Sequence, residues 1–181
     1  MYTRDVIDFL LLLVIILTAI IVVTAVAHIW ADVPFVPTPR KVGEEMLDFV
    51  ELKGKEVVYD LGAGDARLLI AAKRRYPSIT ATGVEIVPTV WAYGRLRIWL
   101  SRQKVKLFLR SVLVQDVSDA DCIFLYLIPG LMQKLEKKFD KELKPGTKVV
   151  SYAFPFPTKK PIKEKSVPWL KGKSKLFLYE W

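Results

Sequence analysis

Apolar and polar positions follow three successive patterns along the chain. From Phe9 to Ala27 no residue is charged, and Leu, Ile and Val dominate. Those nineteen residues would make roughly 28 Å of helix, close to the ~30 Å hydrocarbon core of a bilayer. Thr18 and Thr24 do not form a polar face, which argues against a buried core helix. Ala25-Val26-Ala27 has the small-x-small form of a signal cleavage site. The apolar run is long for a signal, however, and Asp5 and Asp8 stand beside the single Arg4 ahead of it. The pattern therefore predicts a retained membrane anchor over residues 1–31, followed by a domain over residues 32–181.

The second pattern is "ADVPFVPTPRK", which holds three prolines in six residues. Such a segment is stiff and short, reaching at most ~30 Å, so it holds the domain against the bilayer surface. Gly43 to Leu52 then reads as a helix with Met46, Leu47, Phe49 and Val50 on its apolar side. From Glu56 onward apolar runs of strand length alternate with runs of helical period. "EVVYDL", "ITATGVEI", "KVKLFLR", "DCIFLYLI" and "TKVVSYAF" read as strands. "ARLLIAAKRRY", "PTVWAYGRLRIWLSRQ" and "GLMQKLEKKFDKEL" read as the helices between them. The tail offers a weaker strand, "KPIKEKSV", and a stronger one, "KLFLYEW". This alternation predicts an open, mostly parallel α/β sheet closed by a pair of strands.

Within that pattern, "VVYDLGAGDARLLIAA" places an acid and two glycines between the first strand and its helix. A phosphate-binding loop would need lysine and a hydroxyl where Asp65-Ala66-Arg67 stand. A dinucleotide fingerprint would need glycine or alanine where Arg67 stands, at a close contact between helix and strand. S-adenosylmethionine fits better. Gly62 and Gly64 let the backbone approach its methionine part and ribose. Asp60, closing the first strand, can face its cationic amino group. Glu85, closing the second, can accept hydrogen bonds from both ribose hydroxyls. A dinucleotide, or a plain tight turn with Asp60 capping it and Glu85 solvated, remains open at this point.

Composition narrows the chemistry further. Cys122 is the only cysteine and His28 the only histidine, and His28 lies at the end of the anchor. No disulfide within the chain, no Ser-His-Asp or Cys-His system and no Cys/His zinc site can be built in the domain; no metal is expected. The net charge is +9, with lysines dense from Lys134 to Lys175. A basic face suits RNA or anionic headgroups, and equally a solvated surface. No recognised RNA-binding motif interleaves its aromatic and basic residues, which disfavours nucleic acid as a partner. Arg40 and Lys41 after the apolar run, against Arg4 before it, lean toward a domain on the cytoplasmic side.

"PFVPTP" before a helix, then "VYDLGAGDAR", "GVEIVP", and "LKPGTKVVSYAF" followed by "PFP", together resemble seven-strand, class I protein-lysine methyltransferases of one group. That group includes the broad-specificity archaeal enzyme. It also includes the membrane-anchored mitochondrial enzymes acting on the adenine nucleotide translocase and the ATP synthase c subunit. The resemblance spans Pro34 to Trp181. It implies a Rossmann-like class I methyltransferase fold with a mostly parallel seven-stranded sheet behind an N-terminal transmembrane helix. It implies that Phe35, Val36, Pro37 and Thr38 close over S-adenosylmethionine. Asp60, Gly62, Ala63, Gly64 and Asp65 would line its amino-acid end, and Glu85 and Ile86 its ribose. Two positions depart from the family. Ala66 replaces the usual third glycine, and the loop after the third strand, where relatives place an Asp or Asn for the adenine amino group, reads "RSVLVQD", one residue shorter. Ser111 and the backbone at Val112 are the candidates to take that place.

The expected reaction is methyl transfer to a lysine ε-amine, with Tyr126 at the end of the fourth strand and Tyr152 and Phe154 at the end of the fifth forming the acceptor slot. Ordinary packing is the plainer reading of these three aromatics. The expected substrate is a membrane-embedded or membrane-docked protein, with residues 9–27 in the bilayer. The enzyme would be single-pass, its domain on the cytoplasmic or, in a eukaryote, the mitochondrial matrix side. Two alternatives stand beside this reading. One is methylation of RNA or a small molecule, disfavoured by "YLIPG" where a base-amine enzyme carries an acidic or Asn-Pro-Pro-Tyr element. The other is a membrane-tethered binding module that has lost catalysis.

Overall fold

The computed structural model describes residues 2–31, 36–169 and 172–181. The apolar runs become seven strands: β1 (Val57–Leu61), β2 (Thr80–Glu85), β3 (Val105–Leu109), β4 (Cys122–Leu125), β5 (Lys148–Tyr152), β6 (Lys163–Trp169) and β7 (Gly172–Glu180). Five helices accompany them: α1 (Tyr2–Ala31), α2 (Arg40–Val50), α3 (Arg67–Arg75), α4 (Pro88–Ser101) and α5 (Pro129–Glu142). One sheet holds all the strands in the order β3-β2-β1-β4-β5-β7-β6. β1 to β5 are mutually parallel, and β7 runs antiparallel between β5 and β6. After β1 the chain winds outward through β2 and β3, then returns to β4 on the other side of β1. Such a reversal leaves a crevice at the carboxyl ends of the strands, where open α/β sheets bind ligands.

Both faces of the sheet are covered. Val42, Met46 and Phe49 of α2, Leu68 and Leu69 of α3 and Ile98 of α4 pack with Val58, Phe124 and Val150 on one face. Met132, Leu135 and Phe139 of α5 pack with Leu61, Ile123 and Val149 on the other. That double cover is why β4 reads as an unbroken apolar run. Near the chain's end, Phe139, Phe156, Tyr179 and Trp181 stack edge to face, with centroids 4.9 to 6.0 Å apart for the T-shaped pairs.

Three boundaries differ from the sequence expectation for local reasons. The run "DCIFLYLI" leaves the sheet after Leu125, and Ile128, held in extended geometry (φ −65°, ψ 155°) by the following Pro129, caps α5. α3 stops at Arg75, since Tyr76 precedes Pro77 and is likewise pushed out of helical geometry (φ −128°, ψ 82°). The weak tail segment is a full strand, β6, and tolerates Pro168 because it lies at the sheet edge.

α1 is one continuous helix whose side chains from Arg4 to Val23 are exposed. The alternative of a buried core helix therefore fails. Thr18 and Thr24 return their hydroxyls to the carbonyls of Val14 and Ile20 at 2.8 and 2.7 Å, so neither interrupts the apolar surface. Thr24 also meets Thr89, in the first turn of α4, at 3.0 Å between hydroxyls.

Candidate active site

The turn after β1 is held by the neighbouring strand. Gly62 and Ala63 both donate their N–H groups to the carbonyl of Val84, at 3.0 and 2.9 Å. Gly62 takes φ +86°, a conformation that favours glycine, and a Cβ there would stand 2.8 Å from Leu127 Cδ2, which would have to move aside. Ala66 adopts a left-handed conformation, φ +61°, immediately before α3. For an L-residue that costs ~1–2 kcal/mol. Burying its methyl returns about 0.8 kcal/mol, and restricting the unfolded chain returns ~0.4–1 kcal/mol. The cost and the returns are of similar size, so alanine is tolerated at this position.

Gly94 lets α4 lie directly on this turn. A Cβ at Gly94 would come within 2.9 Å of the Gly64 carbonyl oxygen and 2.7 Å of Leu107 Cδ2. Gly94→Ala is expected to push α4 outward, lowering stability by about 1–3 kcal/mol and weakening ligand binding at the turn. Denaturant unfolding and titration calorimetry on the same preparation check both effects.

Three carboxylates converge here in different states. Glu85 organises the backbone: one oxygen accepts the N–H groups of Ile86 and Val87, both at 2.8 Å, and the other accepts Gly64 N–H at 3.0 Å. Three of its roughly four acceptor positions are filled, so one remains toward a ligand hydroxyl. Asp65 is 2% exposed and neutralised by two guanidinium groups, Arg67 at 2.8 Å and Arg97 of α4. Although burial opposes it, those hydrogen bonds and charges hold the Asp65 carboxyl below its ordinary range. Arg67 also donates to the Thr38 carbonyl at 3.3 Å, tying the proline-rich segment to the turn.

Asp60 is the opposite case. It is 7% exposed. Burial first, then the charges of Glu85 and Asp65, push its carboxyl up to about 7. The charges acting on it are like charges, and no ion pair reaches it among the described residues.

These groups border one cavity of about 200 Å³ at the carboxyl ends of β1, β2 and β4. Val36, Pro37, Thr38, Asp60, Gly62, Ala63, Gly64, Asp65, Glu85, Ile86, Ser111, Val112 and Tyr126 all line it. Phe35 lies outside the described residues. Tyr152 is fully buried behind Tyr126, their ring centroids 4.6 Å apart. Neither Tyr152 nor the half-buried Phe154 reaches the cavity wall. Met46, Arg67, Leu68, Val87, Leu127 and Leu131 also line it, and sequence reasoning assigned them no place there. Met46 and Leu68 belong to helical apolar faces that read simply as core, and Arg67 served only to argue against a dinucleotide. A roomier hollow of about 560 Å³, lined by residues such as Glu51, Lys55, Asp121 and Lys148, is open and lies at the other end of the strands. It lacks the glycine turn and the convergent acids. Among the described residues no cluster of His, Cys, Asp or Glu is built to hold a metal ion.

The arrangement suits a ligand that is cationic at one end and aromatic at the other. A buried carboxylate faced only by other carboxylates gains from an ammonium group. The Cβ-free turn admits close backbone approach, and Ile86, Val112 and Leu131 offer an apolar wall.

Comparisons with known proteins point to one family. A family model described as the ANTKMT methyltransferase domain matches residues 60–163. A protein-lysine N-methyltransferase of Saccharolobus islandicus is 37% identical over 129 residues, covering 67% of this chain and 77% of the relative. The human lysine N-methyltransferase named for the ATP synthase c subunit is 31% identical over 126 residues, covering 68% of this chain and 53% of the relative. The chain thus spans about half the length of that human relative. Among solved structures, an RNA methyltransferase of Salinibacter ruber in complex with S-adenosyl-L-homocysteine superposes with a TM-score of 0.73 and is 31% identical. That match covers 80% of this chain and 93% of the other.

Proposed function

The chain belongs to the ANTKMT methyltransferase domain family, a family that draws on S-adenosylmethionine, and we propose that it methylates the ε-amine of a lysine in a protein at a membrane. The observation that carries this reading is the contrast between two acids of one cavity. Asp65 already has its cations, whereas Asp60 is buried without one. Asp60 would take the ammonium of the amino-acid end. Gly62 and Gly64 would admit its backbone, and the open acceptor position of Glu85 would hold a ribose hydroxyl. Ser111 and the Val112 backbone, both on the cavity wall, would meet the adenine.

When bound, the sulfonium cofactor supplies a methyl group that needs no further activation. The protein's task is alignment, which can lower a barrier by roughly 7–11 kcal/mol. A lysine amine must also arrive neutral, and an apolar entry favours that form by penalising the ammonium. Tyr126 is the lining aromatic positioned for this task, with Tyr152 behind it fixing its ring. This reading moves Tyr152 from the acceptor slot to its support.

The membrane part rests on α1. Arg4–Thr24 is long and apolar enough to cross a bilayer, its surface is exposed, and its threonine hydroxyls are satisfied within the helix. A single-pass anchor places the cavity near the headgroups and favours a substrate embedded in, or docked on, the same membrane. Arg40 and Lys41 favour the cytoplasmic or matrix side.

RNA methylation is the second reading, supported by the name of the Salinibacter structure. Against it, the segment after β4 is Tyr126-Leu127-Ile128-Pro129-Gly130, without an acid or asparagine to hold a base amine. Mass spectrometry of membranes and of total RNA from cells with and without the gene separates the two. Loss of methyl groups from lysines of membrane proteins is expected; loss confined to RNA would replace this proposal with the second reading.

A further inference from the structure

Helix α4 differs from the domain's other helices in how its apolar residues are placed. α2, α3 and α5 each bury one apolar face and leave polar residues outside. α4 buries Val90, Gly94 and Ile98 against the domain. It nevertheless exposes Tyr93 (53%), Leu96 (49%), Trp99 (74%) and Leu100 (65%). Positions 93, 96 and 100 follow helical spacing and continue a line that starts at Thr89. An apolar stripe left exposed on the outer side of a helix already packed through its inner side marks a surface that something covers.

Two further observations identify the cover. Thr89, at the head of this stripe, contacts Thr24, and Thr24 is the last residue of the membrane-spanning window of α1. The stripe therefore begins at the level where that window ends. In addition, the thirty residues from Ile86 to Gln115 contain no Asp or Glu, but six cations: Arg95, Arg97, Arg102, Lys104, Lys106 and Arg110. Arg97 is spent on Asp65, which leaves five. Of these, Arg95 lies on α4, Arg102 caps it, and Lys104, Lys106 and Arg110 follow on and beside β3. Exposed aromatic and aliphatic side chains next to arginine and lysine suit the boundary of an anionic leaflet.

We propose that the outer face of α4 is an interfacial element, resting in the headgroup–acyl boundary of an anionic leaflet beside the point where α1 enters it. This rests on the anchor reading above and adds a second contact that sets the domain's orientation. Because α4 touches the glycine turn through Gly94 and holds Asp65 through Arg97, the lipid contact would fix the cavity's rim relative to the membrane plane. A substrate lysine would then be selected by its depth near that plane.

Spin labels on the full chain in lipid nanodiscs test this. The labels are attached in turn through Leu12→Cys in α1, Trp99→Cys in α4 and Lys137→Cys at an exposed site of α5, while native Cys122 stays buried in β4. Each label is exposed to oxygen, which concentrates in lipid, and to a water-soluble nickel chelate. In discs with anionic lipid, labels at 12 and 99 are expected to relax several-fold more with oxygen than with nickel, and the label at 137 the reverse. Zwitterionic discs are expected to lower that ratio at least two-fold at 99 and leave it unchanged at 12. A label at 12 in lipid with 99 in water would overturn the interfacial helix and leave the anchor standing. Water at both positions would overturn both. Shielding of 99 from oxygen and nickel alike would mean a protein covers the stripe, and an equal ratio in the two lipids would mean the contact is not electrostatic; either result overturns the proposal.

Discussion

Glu85→Ala is expected to abolish measurable cofactor binding at millimolar concentration and to lower the domain's stability by roughly 4 kcal/mol. The size follows from what the carboxylate does before any ligand arrives. It accepts three backbone N–H groups, from Gly64, Ile86 and Val87. Hydrogen bonds to a charged acceptor are worth about 1.5–3 kcal/mol each. Water entering the adjoining cavity recovers part of that, which keeps the loss below the simple sum. The same substitution releases Gly64 N–H, so the glycine turn loses its brace as well as its ribose partner. Glu85→Gln separates the two roles. Its carbonyl can still serve Ile86 and Val87, but its amide must face another donor at Gly64, so a stability loss of about 2 kcal/mol is expected. Chemical unfolding in detergent, with calorimetric titration of S-adenosylmethionine, reads both quantities.

Asp60→Asn is expected to do the opposite to stability while still weakening binding. Asp60 stands at about 7 in the folded chain against an ordinary 3.8. The folded state therefore holds this proton more firmly than the unfolded state. The free protein loses stability as pH rises from about 4 toward 7, by up to roughly 4 kcal/mol. Asparagine removes the charge and keeps the shape, so the variant should be the more stable protein above pH 7. A bound ammonium reverses the preference and draws Asp60 into its ionised form. Cofactor affinity in the native chain should then climb up to about ten-fold per pH unit below 7, as expected when binding requires loss of one proton. It should level off near pH 8, where the ligand's own α-ammonium begins to titrate. In Asp60→Asn that slope should vanish, with affinity at pH 8 lower by about 100-fold, the equivalent of ~2.7 kcal/mol. A native titration that is flat between pH 6 and 8 would contradict this role for Asp60.

Much of this fold was legible before any coordinates. β4 is a continuous apolar run because helices cover both sheet faces, and β3 alternates. Short apolar runs between helical periods read as strands by their length. Glycines at 62 and 64, with acids near the ends of β1 and β2, are among the residues that line the cavity. What stayed hidden were interactions across sequence distance. Nothing local reveals that Asp65 is neutralised by Arg97 from α4, 32 residues away, or that Arg67 reaches the Thr38 carbonyl. Glu85 was legible as a candidate for ribose, but its service to three backbone N–H groups was not. Tyr126 and Tyr152 read as equivalent aromatics at strand ends. The end of β4 at Leu125 lets Tyr126 reach the cavity, whereas Tyr152 is still within β5 and fully buried. The exposed stripe of α4 was concealed for another reason, since an apolar residue on a helix reads as core until the helix has been placed.

The most direct measurement is transfer of a labelled methyl group by the purified full chain in lipid nanodiscs, supplied in turn with membrane proteins and with RNA. Acid hydrolysis of the product and separation of its amino acids and nucleosides then locate the label. Label recovered as methyl-lysine, and lost with both Asp60→Asn and Glu85→Ala, is the predicted result. Label found only in methylated nucleosides, or undiminished methyl-lysine from either variant, would contradict it.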